Sequence, residues 1–215
     1  MRPPRATYHL RVLPARHAAA ALAVSVLLAV PGRALAPAPV ACAPVFDEEQ
    51  TPEVSAVERV LASHLARRFV VAPEAAALVV RAAHRAADEV GLDPLLVLAV
   101  IAIESSFNPL AESSVGAKGL MQIIPKYHQA KLSELGGDQA VLDPEANIHV
   151  GTRILQEYVD RRGTLEGGLQ YYNGALADAS AQYAQKVFAE RRRLEQVLRA
   201  GLRREAFQVA ATPDG

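Results

Sequence analysis

A single carboxylic acid, Glu104, stands at the end of an apolar run in the stretch IAIESSFNPLAESSVGAKGLMQIIP, residues 101–125. A carboxyl group at the end of a buried helix is poorly solvated, which disfavours its charged form and raises its pKa. Such a group can donate a proton near neutral pH, as the cleavage of a glycosidic bond requires. The pattern alone leaves a second interpretation open, in which Glu104 emerges into solvent at the helix end.

The residues that follow Glu104 favour a loop that comes close to a ligand. Four of them are small enough for backbone amides and carbonyls to approach a bound molecule beside the acid: Ser113, Gly116, Ala117 and Gly119. The nearest other acid is Glu112, and its position in this turn-rich loop predicts that it faces solvent. The loop is therefore expected to supply binding groups, with Glu104 as the acid.

The order E-S-S-F-N-P, followed by A-x-S-x-x-G-A-x-G-L-M-Q-I-x-P, resembles the signature of lytic transglycosylases with a goose-type-lysozyme-like (soluble lytic transglycosylase) catalytic domain. The similarity continues at Asn147-Ile148, Gly151-Thr152 and Tyr172-Asn173, and it covers roughly residues 73 to 190. The resemblance implies an all-α, lysozyme-like helical domain. It also implies cleavage of the β-1,4 bond between N-acetylmuramic acid and N-acetylglucosamine in peptidoglycan, without water and without a metal or organic cofactor.

In this family one glutamate performs both proton transfers, so the resemblance makes Glu104 the catalytic residue. It places six further residues at the sugar-binding cleft: Ser113, Gly119, Gln122, Tyr172, Asn173 and Tyr183. Ser113 and Gln122 are expected to donate hydrogen bonds near the acid, and Asn173 to hold the cleft wall together. For Tyr183 two roles stay open, reaching back to the cleft or stacking in the helix core. Many members continue Y-N-A-G-P where this chain has YNGAL, so the loop after Asn173 is expected to differ.

Signals that start and stop helices occur along the chain from Ser55 onward. Capping residues and prolines predict helices that start near Ser55, Pro73 and Pro94, the first ending at Phe69 and the second at Gly91. The third is apolar all round, which predicts a buried central helix. Later helices are expected at 126–135, 144–161, 164–173 and 179–200. No useful stretch alternates with period two, so little sheet is predicted beyond a short hairpin or extended segment near residues 113–119.

The amino terminus has the pattern of an export signal. Several arginines and no acid precede the apolar run AAAALAVSVLLAV, residues 18–30, which suits a signal peptide better than a membrane span. The predicted organisation is a signal peptide or signal anchor (1–36), a Pro/Ala-rich linker (37–52), an N-terminal helix (53–72), the catalytic domain (73–190) and a basic C-terminal helix and tail (191–215). Cleavage, retention as a membrane anchor and lipidation at Cys42 stay open, and a periplasmic location is expected.

The composition excludes several other functions. Lys and Arg together number 23, as do Asp and Glu, so no nucleic-acid partner is expected, because binding to phosphate backbones needs clustered positive charge. The six histidines include no zinc-ligand pair, and His128 is expected at the surface or in a helix cap. The predicted partner is the peptidoglycan strand, with membrane association through the N-terminal segment as a further option, and a monomer is expected. Two rival functions stay open: a lysozyme-type hydrolase, and a non-catalytic wall-binding or secretion-scaffold protein.

Overall fold

The computed structural model describes residues 55–211, with side chains up to residue 208. The predicted signal segment and linker lie outside the described residues. Seven α-helices follow in the described part: α1 (Ala56–Phe69), α2 (Pro73–Val90), α3 (Pro94–Glu104), α4 (Gln129–Ser133), α5 (Pro144–Arg162), α6 (Leu165–Tyr172) and α7 (Gln182–Ala211). Short 3-10 helices span Pro125–Tyr127 and Asp138–Leu142. The all-α prediction is confirmed.

Helix α3 forms the centre of the fold, as its apolar sequence predicts. Every residue from Leu96 to Ala102 is buried, and α2 and α7 pack against the helix. The Asp93 side chain caps its first turn by accepting a hydrogen bond from the Leu95 amide at 2.9 Å. The same carboxylate accepts a bond from Arg191 of α7 at 2.5 Å. Both ends of α3 are therefore fixed relative to α7, since Glu104 at the other end also contacts that helix.

A second, smaller apolar cluster lies beside the main core. It consists of Ile123, Leu132, Val141, Val150 and Ile154, contributed by the loop after α3, by α4, by the 3-10 helix Asp138–Leu142 and by α5. Tyr172, the last residue of α6, packs against both clusters. The residues that resemble the family's signature therefore converge where the two clusters meet.

The segment between α3 and α4 is mostly irregular, and it contains the short extended stretch that the sequence predicts. Isolated antiparallel bridges join Glu112 to Lys118 and Lys118 to Ile123. The helix expected at 126–135 is shorter: a 3-10 turn comes first and α4 covers only Gln129–Ser133. Within residues 55–211 no helix is long and apolar enough to span a lipid bilayer.

The last helix differs most from its predicted bounds. It begins at Gln182 and continues to Ala211, whereas the sequence pattern places its end near residue 200. Gly201 lies just beyond the predicted end, and the helix continues through it. A Cβ atom at this position would come within 2.3 Å of Val60 in α1, so glycine permits the two helices to approach closely. The predicted boundary between residues 190 and 191 therefore falls within one continuous helix.

Candidate active site

Glu104 is the last residue of α3, and its carboxylate faces the first turn of α7. Oε1 accepts a hydrogen bond from the Tyr183 hydroxyl at 2.5 Å. Burial raises the pKa of the Glu104 carboxyl, and the Tyr183 bond opposes part of this rise because it stabilises the charged form. The structure therefore places Glu104 in a partly buried, hydrogen-bonded position, in contrast to the open interpretation of a solvated helix end.

Two tyrosines surround this acid. Tyr172 donates its hydroxyl proton to the Met121 carbonyl at 2.7 Å, and Tyr183 donates to Glu104. Burial raises the pKa of both phenols well above the usual 10, and the negative charge of Glu104 adds to the effect. Both groups therefore stay protonated and act as hydrogen-bond donors. For Tyr183, the structure combines the two predicted roles: its ring is buried and its hydroxyl reaches the acid.

Asn147 of α5 fixes the loop that follows the acid. Its Oδ1 accepts from the Met121 amide at 2.8 Å, and its Nδ2 donates to the carbonyls of Val141 at 2.8 Å and Lys118 at 3.1 Å. The side chain is buried, with 1% exposure. A Cβ atom at Gly119 would lie 2.3 Å from Nδ2, so the missing side chain there makes room for Asn147. Gly119 therefore serves the loop's internal packing, whereas the resemblance places it in the sugar-binding cleft.

The donors of Gln122 are used differently from what the resemblance implies, whereas Ser113 keeps the donor expected of it. The amide nitrogen of Gln122 donates to the carbonyls of Ala111 at 3.1 Å and Gly119 at 3.0 Å, which occupies both of its protons within the loop. Its carbonyl oxygen is the group left for a substrate. Ser113 accepts a bond from the Ala117 amide at 3.0 Å through its hydroxyl oxygen and keeps its hydroxyl proton for donation.

Left-handed backbone conformations concentrate around Glu104. Among the described residues other than glycine, five have positive φ, and four of these belong to segments that form the site: Ser106, Phe107, Gln122 and Ala181. Such conformations cost free energy for residues with a side chain, and they persist where the surroundings enforce them. Phe107 shows how: its ring is buried and stacks on Phe69 at a centroid distance of 4.7 Å. The sharp turn after Glu104 is therefore held by packing.

One cavity contains the acid, and a second shares Asn173 with it. The first has a volume of about 320 Å³ and is lined by Glu104 and Tyr183 together with Asn173, Asp178, Gln182 and Lys186. The second, of about 210 Å³, lies along a tyrosine-rich wall formed by residues 122–124, 127–128, 154, 158 and 171–174. Asn173 lines both cavities. Its side chain is exposed and makes no hydrogen bond within the described part of the chain, so it faces the cleft and does not hold the wall together as predicted.

His128 lies in the wall of the second cavity. The sequence favours a surface or capping position for it, and its backbone does occupy the cap position of α4. Its side chain, however, makes no capping bond and lines the cavity with Tyr172 and Asn173. Burial is the main cause that lowers the pKa of this imidazole, and the nearby Lys131 adds to it.

Asp178 is a residue of the site that sequence reasoning missed. It lines the cavity that contains Glu104, but its Oδ1 accepts from the backbone amide and the hydroxyl of Ser180, and its Oδ2 accepts from the Gln182 amide. The Ser180 hydroxyl and these amides lower the pKa of the Asp178 carboxyl. The aspartate therefore stays ionised as the cap of α7. Its spacing before the helix, D-A-S, is the signal that could have revealed it.

Comparison with known proteins agrees with this geometry. The Transglycosylase SLT domain family matches residues 81–194, which is more than half of the chain, and the chain belongs to this family. It is 41% identical over 95 residues to a transglycosylase of Enterobacteria phage PRD1, covering 44% of this chain and 34% of that protein. It is 44% identical over 64 residues to the soluble lytic murein transglycosylase of Escherichia coli K12, covering 27% of this chain and 10% of that protein.

A solved structure with a similar fold is that of an inactive mutant of lytic transglycosylase Slt from Pseudomonas aeruginosa. The TM-score is 0.50 at 22% sequence identity, with 56% of this chain and 24% of that chain covered. This likeness supports the lysozyme-like fold. The chain spans about a third of the phage relative and a tenth of the Escherichia coli relative.

Proposed function

We propose that this protein is a peptidoglycan lytic transglycosylase that cleaves the β-1,4 bond between N-acetylmuramic acid and N-acetylglucosamine and leaves a 1,6-anhydro end. The observation that carries the proposal is the environment of Glu104. This carboxyl has a raised pKa, opens onto a cavity and is oriented by the Tyr183 hydroxyl. A general acid for a glycosidic oxygen needs these properties.

In the proposed reaction Glu104 first protonates the leaving oxygen of the glycosidic bond. The substrate's own acetamido group stabilises the positive charge that develops at the sugar. Glu104, now a carboxylate, then removes the proton from the 6-hydroxyl as that oxygen closes the anhydro ring. Glu104 gives a proton in the first step and takes one in the second, so the reaction needs no second catalytic residue and consumes no water. Tyr183 keeps Oε1 in place between the two steps.

The position of Asp178 favours this lyase over a lysozyme-type hydrolase. A hydrolase of the usual kind needs a second carboxylate as nucleophile or as base for water. Among the described residues that line the Glu104 cavity, Asp178 is the other carboxylate, and both of its oxygens already accept hydrogen bonds at the start of α7. It is therefore poorly placed to activate water.

The second cavity supports binding of an extended sugar chain. Its wall contains Tyr127, Tyr158 and Tyr171, and Tyr158 packs edge to face against Tyr171 at a centroid distance of 4.5 Å. Tyr127 is 68% exposed and presents an apolar ring face with a polar tip. Such surfaces suit pyranose rings, which carry apolar C–H faces. Asn173 lies between this wall and the acid.

We further propose export of the protein to the periplasm, where peptidoglycan is accessible. The arginine-rich start and the apolar run at 18–30 support this location, and similar proteins include a membrane-bound lytic murein transglycosylase C from Photorhabdus laumondii. A fusion of residues 1–60 to a reporter that is active only outside the cytoplasm should give signal. A fusion retained in the cytoplasm would contradict the periplasmic location.

The reaction is tested by digesting purified peptidoglycan in heavy-oxygen water and analysing the released sugars by mass spectrometry. The expected products are anhydro muropeptides, lighter by one water than lysozyme products and without heavy oxygen at the new muramic terminus. Labelled reducing ends would instead identify a hydrolase.

The role of Glu104 is tested with Glu104→Gln, which keeps the shape but cannot transfer the proton. General acid–base groups contribute roughly 10²–10⁴-fold, and the double role of this residue puts the expected loss at or above the upper end. Glu112→Gln is the matched control, because Glu112 is exposed and pairs with Lys118 on the loop surface; its activity should stay close to the wild type. Wild-type activity of Glu104→Gln would refute the assignment of Glu104 as the acid, and absence of cleavage by the wild-type chain itself would favour the non-catalytic scaffold.

A further inference from the structure

A groove between α1 and α7 lies outside the part of the chain that the SLT family accounts for. Its lining residues fall within 59–67 and 197–205, whereas the family match covers residues 81–194. The groove has a volume of about 490 Å³, within the usual size of small-molecule sites. Its floor is the contact of Gly201 with Val60, where the two helices approach most closely. The groove is thus a feature of this chain's own extensions.

The walls of the groove are strongly basic. Arg59 and Arg67 come from α1 and Arg204 from α7, while Glu205 is the one acid among the lining residues. Glu205 forms a 3.2 Å ion pair with Arg59, which joins the two helices. Within the described part of the chain, neither Arg67 nor Arg204 has an ion-pair partner. The groove therefore presents two guanidinium groups, one on each wall, whose charge is not balanced by a neighbouring side chain.

A histidine marks the inner part of the same groove. His64 lines it, and its Nε2 is buried without a hydrogen-bond partner among the described residues. Buried polar atoms normally have partners, so this one calls for an explanation. Burial lowers the pKa of the imidazole, and the positive charges of Arg68 and Arg67 add to the effect while Glu190 opposes it. An anion in the groove would balance the positive charge of its arginines.

We propose that the α1–α7 groove binds a phosphate group, with Arg67 and Arg204 as its two arms and the Ser63 hydroxyl as a further donor. Planar guanidinium groups match phosphate oxygens in bidentate geometry and hold their charge at all relevant pH values. Three arginines against one glutamate leave two net positive charges on the lining. A phosphomonoester, with about −1.5 to −2 charges at neutral pH, matches this excess better than a single carboxylate does.

The groove is far from the proposed catalytic acid but rigidly connected to it. Tyr183 and Arg204 both belong to α7, and the helical rise separates them by about 30 Å. A ligand in the groove therefore does not compete with sugar at Glu104. Such a ligand would instead fix the position of the domain relative to the molecule that bears the phosphate group.

The test uses the full chain, titrated with inorganic phosphate and followed by NMR signals of the arginine side chains and of His64. Saturable shifts confined to the groove are expected. Arg67→Gln combined with Arg204→Gln should weaken phosphate binding by about tenfold or more, since hydrogen bonds to charged groups are the strong ones. The matched control is Arg192→Gln combined with Arg203→Gln, which removes the same charge from exposed positions of α7 that do not line the groove.

A second variant, Ser63→Glu, places a carboxylate one helical turn from both Arg59 and Arg67, and it should abolish phosphate binding without removing an arginine. Circular dichroism verifies that each variant is folded. The proposal is overturned if phosphate causes no saturable shift, or if the two double variants weaken binding equally, because the effect would then be general electrostatics.

The source of the phosphate is distinguished by sedimentation with vesicles of phosphatidic acid, a lipid with a phosphomonoester headgroup, or of phosphatidylcholine. Binding to phosphatidic acid that depends on Arg67 and Arg204 identifies a lipid headgroup as the source. Vesicle binding that is the same for all variants, together with groove-dependent binding of inorganic phosphate, identifies a soluble phosphate ester. Neither result depends on cleavage of peptidoglycan, so this proposal and the proposed enzymatic function can fail separately.

Discussion

Replacing Asn147 with alanine should destabilise the fold by about 2–6 kcal/mol, because two buried backbone groups lose their partners at about 1–3 kcal/mol each. These groups are the amide of Met121, a residue with 0% exposure, and the carbonyl of Val141, a residue with 1% exposure. The third bond, to the Lys118 carbonyl, adds little because Lys118 is partly exposed and water can replace the lost donor. The loss is a large share of a typical stability of about 5–15 kcal/mol.

Urea denaturation of the folded chain measures this change, with the midpoint expected to fall while the slope is unchanged. Asn108→Ala is the matched control, since Asn108 is exposed and its side chain accepts one bond, from the Leu110 amide at 3.0 Å. Its expected cost is below about 1 kcal/mol. Equal midpoints for the two variants would refute the argument that Asn147 holds the loop through buried hydrogen bonds.

Two further predictions concern the protonation of Glu104. Tyr183→Phe removes a bond that lowers the pKa of Glu104, so the fall of activity at high pH should move to higher pH; an unmoved alkaline limb would argue against the contact. The second concerns stability. The pKa of Glu104 in the folded chain is raised above its ordinary value of 4.5, so at pH values between the two the unfolded chain binds fewer protons than the folded chain. The free energy of unfolding therefore falls as pH rises through this range. Because the glutamine of Glu104→Gln does not titrate, the stability of this variant relative to the wild type should increase as pH rises from about 4.5. A difference independent of pH, measured by urea denaturation, would show that Glu104 titrates normally.

Local signals in the sequence were sufficient for most of the helices. Helix α5 shows why: the Asp143 side chain accepts from the Ala146 amide at 2.8 Å, Pro144 starts the helix and Gly163 ends it in a left-handed conformation. The apolar run before Glu104 likewise predicts the buried central helix, and the structure confirms it. Each of these signals acts within a few residues of the element that it specifies.

The parts that could not be predicted depend on contacts between distant residues. The sequence does not show that Gly201 lies against Val60, a contact in which the absence of a side chain lets α7 continue past residue 200 close to α1. The donors of Gln122 likewise satisfy carbonyls of its own loop, which is known only once that loop is folded. Motif similarity identifies which residues assemble at the site, but the division of their hydrogen bonds between loop and substrate follows from the tertiary structure.

The place of Glu104 as the last residue of α3 also has an electrostatic consequence. The peptide dipoles of a helix add up to a partial negative charge at its C-terminal end, where a carboxylate is disfavoured by about 0.3–1 kcal/mol. Helix α3 therefore favours the protonated form of the acid that it positions. In the proposed reaction the α3 dipole acts a second time, after Glu104 has donated its proton to the leaving oxygen, because a carboxylate at the negative end of a helix is a stronger base. One helix end thus assists both the donation that breaks the glycosidic bond, by keeping the proton available, and the abstraction that closes the anhydro ring.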